Sequence, residues 1–327
     1  LTEGRHCAAC NAVIVAQEVI PLVKTVVYVK DAGSNANDGA TEDTAVATLT
    51  RAYALLDPNA GGTIVVCGNL SITAAPSVEN SGAVTITGSY GGTDYNPTIT
   101  VTNSSPITLV FGEKTVIDDV NFVGTSTGSI TFYTKPSLTL GSGITTDETT
   151  STTKKYQVFG GHSDKDYDET EIKIYGGNYA QVFLGSNAGG AVGAATCTIG
   201  GTAQVLSNVR TGAYNANVGA LTLNIDGEDC WINAIYIAPY STSGTAIAAD
   251  SVAVNLIAGG IGVKGFHDFT STNSLGAVSG DVTVTIYPEF DLSKTTVYAP
   301  SGGTYVTLEG DVILNLPGWS GTVPSGM

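Results

Sequence analysis

Apolar and polar residues alternate through much of the second half of the chain. Leu221, Leu223 and Ile225 are followed by Val252, Val254 and Leu256, then Val282, Val284 and Ile286, then Val312, Leu314 and Leu316, at offsets of 31, 30 and 30 residues. A spacing of two puts each triplet on one face of a strand, and a recurrence of that length predicts strands stacked coil upon coil. Ile174 and Ile199 carry the series toward the N-terminus, preceding Ile225 by 51 and 26 residues. Several of these strands run into a glycine step, as in IYGG, TIGG, NIDG and LIAGG, where the missing Cβ permits a tight corner. A large β-sandwich would use the same strand composition, but near-equal offsets favour a solenoid.

One stretch breaks the period. In ATLTRAYALLDPNAGG, Leu49, Ala52, Tyr53 and Leu56 fall at i, i+3, i+4 and i+7 and make one apolar helix face. Thr48 is placed to cap its start, and Pro58 with Gly61 and Gly62 to end it. The runs TVVYV before it and TIVVCGNL after it have strand composition. The first coil of a solenoid exposes its interior and an unpaired strand edge, so this helix is expected to cover that end. The segment DAGSNANDG, between the first strand and the helix, could hold calcium through Asp31, Asn37 and Asp38. Its Asn-Asp-Gly step and short polar side chains fit a structural bend better.

Composition agrees with an all-β chain. Hydrophobic residues make up 42% of the 327 positions, charged residues 13%, and there are 41 glycines. A formal charge of −16 opposes binding to nucleic acid or to anionic lipid, both of which require basic patches. No apolar run is long enough for a membrane span.

Residues 1 to 23 form a separate piece ending near Pro21, and 24 to 327 are expected to form one domain. The piece carries His6, Cys7 and Cys10. Such a C-x-x-C supplies half of a zinc site or a disulfide, but no second pair follows. Cys67, Cys197 and Cys230 lie in strand-like runs, where a free thiol behaves as a small buried hydrophobe. LTEGRHCAACNAVIVAQEVIPL resembles the closing half of a small Cys-containing repeat of large surface proteins of gut Firmicutes. The resemblance implies that residues 1 to 23 are the end of an upstream module and that the protein is extracellular, secreted or wall-attached.

A second resemblance covers about residues 24 to 316. VYVKDAGSNANDGATEDTAVATLTRAYALL followed by GGTIVVCGNL is similar to the opening of right-handed parallel β-helix proteins of the pectate-lyase-like group. IKIYGGNYAQVFLGSNAGG and CTIGGTAQV look like glycine-paired coils of bacterial surface β-helices. What this implies is a right-handed parallel β-helix with one N-terminal capping helix. That fold serves lyases, hydrolases, adhesins and inert stalks alike, so function must come from a site.

Several groups are candidates for chemistry. Asp164, Asp166 and Asp168 alternate as the first oxygen ligands of a calcium loop do, but Glu169 stands where that loop needs glycine and Tyr175 where it needs glutamate. A solvated acidic loop is the favoured reading, and no cofactor is required. Asp118 and Asp119 are adjacent, which on a strand would point them to opposite faces and prevent joint action. His162 and His267 suit turns. Arg210 and Lys264 are the two basic residues between 174 and 293, too sparse for a uronate cleft. They are the best hidden base, with Asp226, Asp229 or Asp268 as partner. Tyr175, Tyr179, Phe183, Tyr214, Trp231, Tyr236 and Tyr240 either line the interior or stack on sugars, with Trp231, Tyr236 and Tyr240 the candidate glycan contacts. The expected role is a surface stalk or adhesin whose partners are glycans or other surface modules. The alternative is a polysaccharide lyase or glycosidase on a neutral or weakly charged glycan.

Overall fold

The computed structural model describes residues 5–10, 12–15, 23–76, 78, 81–102, 106–125, 128–149, 156–162, 164–187, 189–212, 216–237, 247–267, 276–293 and 307–319. The chain is an all-β parallel solenoid with one helix among these residues. One face starts at Val26–Val29 and passes in parallel register through Gly61–Val66, Ala83–Thr87, Lys114–Asp118, Ser137–Leu140, Tyr167–Ile174 and Val192–Gly200. It continues through the first part of Val218–Tyr236, then Ile247–His267, Val282–Ile286 and Val312–Asn315. A second face stacks Ile107–Val110, Ile130–Tyr133, Tyr156–Phe159, Asn178–Phe183 and Gln204–Arg210 in the same way. Leu70–Ile72, Thr98–Val101, Asn121–Gly124 and Thr145–Thr146 form a third, shorter face.

The predicted triplets stack as expected, Val252 on Val282 on Val312 and Val254 on Val284 on Leu314. The isoleucine series extends further back than the sequence pattern revealed. Val27, Ile64, Ile86, Ile117, Leu140, Ile174, Ile199, Ile225, Leu256 and Ile286 form one column, each opposite the next and each buried. Burying a side chain of this size favours folding by roughly 1.5–3 kcal/mol before the entropy of ordering it is subtracted.

The helix Leu49–Leu55 covers the first coil. Thr48 caps it by accepting the Arg51 N–H on Oγ1 at 3.2 Å, and Leu49, Ala52 and Tyr53 join the core beside Val27 and Val29. It stops earlier than predicted, because Leu56 is already extended and bridges to Lys24. Gly61 and Gly62 therefore do not end the helix; they open the next strand, at φ of 79° and 150°. DAGSNANDG is a bend whose oxygens serve the chain itself. Asp31 accepts from Ser71 N–H and Oγ–H, Asn35 Oδ1 from Ala47 N–H, and Asp38 from Ala40 N–H and Lys24.

At the other end Trp319 donates its indole N–H to Ile286 O at 2.8 Å and packs on the core. Val312 and Leu314 remain 57% and 46% exposed. Cys67, Cys197 and Cys230 are buried, as their strand context predicted.

Candidate functional site

Register fixes what the outer surface offers. On the first face the outward rows are Glu169, Ala194, Ala220 and Ser251; Glu171, Thr196, Thr222, Ala253 and Thr283; and Lys173, Thr198, Asn224, Asn255 and Thr285. Apart from Glu169 and the Glu171–Lys173 ion pair at 2.8 Å, all on the first of these coils, every member of the rows is uncharged. Neighbouring coils hold the rows in place: Asn255 Nδ2 donates to Asn224 Oδ1 at 2.8 Å, and Asn224 Nδ2 to Thr198 Oγ1 at 3.4 Å. β-Branched threonines add stiffness at χ1, so these side chains are held in place before anything binds. A groove of about 480 Å³ opens at its N-terminal end, lined by Lys114, Pro136, Ser137, Glu169 and Thr196 among others.

Asp118 and Asp119 overturn the expectation of opposite faces. Asp119 has a φ of 52°, so it has left the strand and strand alternation no longer applies. A Cβ placed on Gly143 would stand 2.0 Å from Asp119 Oδ1 and 3.0 Å from Asp118 Oδ1, so both carboxylates face the same turn of the next coil. Asp118 Oδ1 accepts the Gly143 N–H at 2.7 Å and the Asp119 N–H at 2.9 Å. Burial, then the Asp118 and Asp94 charges, push the Asp119 carboxyl up against the pull of a Thr87 hydrogen bond. Nearby, Asn121 Nδ2 donates to Asn96 Oδ1 at 2.8 Å. Two carboxyl groups at one half-buried corner, one of them raised, can serve as an acid and base pair.

The acidic loop contains a different arrangement from the calcium triplet. Asp164 accepts the Tyr167 hydroxyl at 2.7 Å and lies 3.2 Å from Lys135 Nζ and 3.0 Å from His162 Nδ1. Burial opposes its ionisation, but these partners outweigh it and hold the carboxyl well below the usual range. Asp166 turns instead to the Ala191 N–H at 2.7 Å, and Asp168 is exposed at the start of its strand. Lys165 reaches Glu113 at 3.0 Å. No group of three His, Cys, Asp or Glu among the described residues is placed to hold a metal ion. The calcium candidates are thus not brought together.

The aromatic residues divide between inside and outside. Tyr179 is fully buried in the interior, while Tyr133, Phe159 and Phe183 stack face to face at 5.4 and 4.5 Å in a separate buried cluster, on the opposite side of the second face. Arg210 and Tyr236 continue that column by register, with the guanidinium 4.5 Å from the Tyr236 ring centre. The Trp231 ring lies against Gly260 of the next coil. Both Trp231 and Tyr236 are half-buried.

No family model, curated protein or solved structure matches this chain. The outer surface must be judged on its own geometry. Arg210 lies opposite Phe183 and Tyr236, whereas Asp226 lies opposite Gly200 and Ala258, so the proposed base and acid belong to different columns. Asp229 is exposed on the same stretch as Asp226. Lys264 sits in the strand Ile247–His267, but its side chain, like that of His6, lies outside what is described. Asp268, Tyr214 and Tyr240 fall outside the described residues. Sequence reasoning missed the platform and the convergence at Asp118 and Asp119. The T-x-T and T-x-N pairs at 196/198, 222/224 and 283/285 were the available signal for the first, and the second had none.

Proposed function

We propose that the chain is a rigid β-solenoid rod of a secreted or wall-attached bacterial protein. In this reading it holds other modules away from the surface and presents its uncharged face to neutral glycans. The observation that carries it is the uncharged platform of Thr196, Thr198, Thr222, Asn224, Thr283 and Thr285, in register and half-exposed on a chain of net charge −16. Hydroxyl and amide groups in fixed rows suit a polyhydroxylated partner, and the chain's acidity repels a polyuronate. Co-sedimentation with insoluble neutral and uronate-rich polysaccharides tests it. Retention on the neutral set is expected, with loss in the Thr222→Lys, Thr283→Lys double variant at unchanged circular dichroism. Retention by that variant, or a preference for polyuronates, would overturn the reading.

A second reading, hydrolysis of a glycosidic bond, is favoured by the Asp118 and Asp119 pair with its raised member. Incubation with the same panel, followed for new reducing ends or unsaturated uronates, separates the two. Product release that Asp119→Asn abolishes while the fold survives would replace the rod-and-adhesin reading.

A further inference from the structure

Arg5–His6 and Val13–Val15 pair antiparallel in a two-stranded sheet of their own, apart from the solenoid sheet. The connection turns through Ala8, Ala9 and Cys10, and the Cys7 N–H donates to Ala12 O at 2.8 Å to close it. Cys7 and Cys10 therefore sit together at the tip of a hairpin, Cys7 half-buried and Cys10 exposed. The Cys10 thiol lies against the Cys7 sulfur, as do the backbone N–H groups of Ala9 and Cys10. A tight hairpin that brings two cysteines spaced C-x-x-C to one accessible tip presents both sulfurs to the same ion.

The other three cysteines behave in the opposite way. Cys67, Cys197 and Cys230 are 5%, 0% and 2% exposed, and burial pushes all three thiols up, Cys230 to about 12. The fold separates two accessible sulfurs at the hairpin tip from three buried ones.

We propose that Cys7 and Cys10 form half of a tetrahedral thiolate site for a thiophilic divalent cation of the zinc class. Paired sulfur ligands select a soft or borderline cation over calcium or magnesium, which take oxygen. Two thiolates fill half of the four positions such an ion requires. For the chain alone in solution, the other half comes from the hairpin of a second copy, giving four sulfurs around one ion. The site is independent of the glycan platform.

The test is titration of the reduced full chain with Zn²⁺, and with Co²⁺ as a coloured substitute. Binding is expected at one ion per two chains, with doubling of the mass in solution, proton release and a thiolate-to-cobalt charge-transfer band. Two of the five thiols should lose reactivity toward a thiol reagent under native conditions when Zn²⁺ is added. Cys7→Ser and Cys10→Ser should each abolish the band, and Cys67→Ala should keep it. A band that survives Cys7→Ser, or tip thiols that stay fully reactive in saturating Zn²⁺, would overturn the site. So would closure of the pair to an intrachain disulfide in preference to metal uptake, which would make it a redox pair. One ion per chain without mass doubling would overturn the completion by a second hairpin.

Discussion

A methyl group added at residue 200 would have nowhere to go. Its carbon would stand 2.3 Å from Asp226 O on the next coil, and one at residue 227 would stand 2.4 Å from Gly201 N. These glycines permit coil-to-coil contact at the corner, so Gly200→Ala is expected to lower stability by about 1–3 kcal/mol, measurable as a fall in melting temperature. At the opening bend Asp38 gives a residue-scale prediction with a defined sign. The Ala40 N–H, then Lys24 and Thr44, hold its carboxyl down to about 2 from an ordinary 3.8. A depressed carboxyl stabilises the folded chain above its unfolded value and loses that contribution as pH falls through the folded one. Asp38→Asn should therefore melt below the parent at pH 7, and the two melting curves should converge as pH falls toward 2. A gap that persists there would assign the effect to packing.

Among the elements, the helix Leu49–Leu55 is short and depends on its cap and its buried face. Its N-cap bond, Thr48 Oγ1 from Arg51 N–H, is the kind whose loss costs about 1 kcal/mol. Thr48→Ala should lower the melting temperature modestly, whereas Thr48→Asp, which keeps the acceptor, should restore it. The helix was legible in the sequence because its four apolar positions repeat at 3.6 residues within one segment. Its end was not, since Leu56 turns outward from the helix to meet Lys24, a partner 32 residues earlier. The acidic loop shows the same limit. Alternation left a calcium triplet beside the favoured solvated loop, whereas Asp164 engages Lys135 across the stack and Asp166 engages the Ala191 backbone.

At the scale of the whole molecule, each coil is supported by its neighbours on both sides, except at the ends. Val254 is fully buried mid-stack, and Val312 is 57% exposed on the last described rung. Val254→Ala should cost roughly 2 kcal/mol from lost burial and the cavity left behind. Val312→Ala, by comparison, should stay within about 0.5 kcal/mol. Equal losses in denaturant melts would refute a stack whose interior is continuous and whose end is open.

The sequence by itself determined the all-β class, the stacked coils from Ile174 onward, the glycine corners and the end helix. Each is written in spacings of two, of 3.6 or of one coil, which local chain geometry converts directly into strand, helix and repeat. Tertiary structure alone decided which outward side chains meet. Arg210 lies over Tyr236, Asp164 beside Lys135, and Thr198, Asn224 and Asn255 join one row, only because parallel register places them on successive coils. Asp118 and Asp119 converge because one backbone angle departs from the strand. A single-residue shift in register would send every outward side chain inward, so the surface on which function depends is fixed by the stack as a whole.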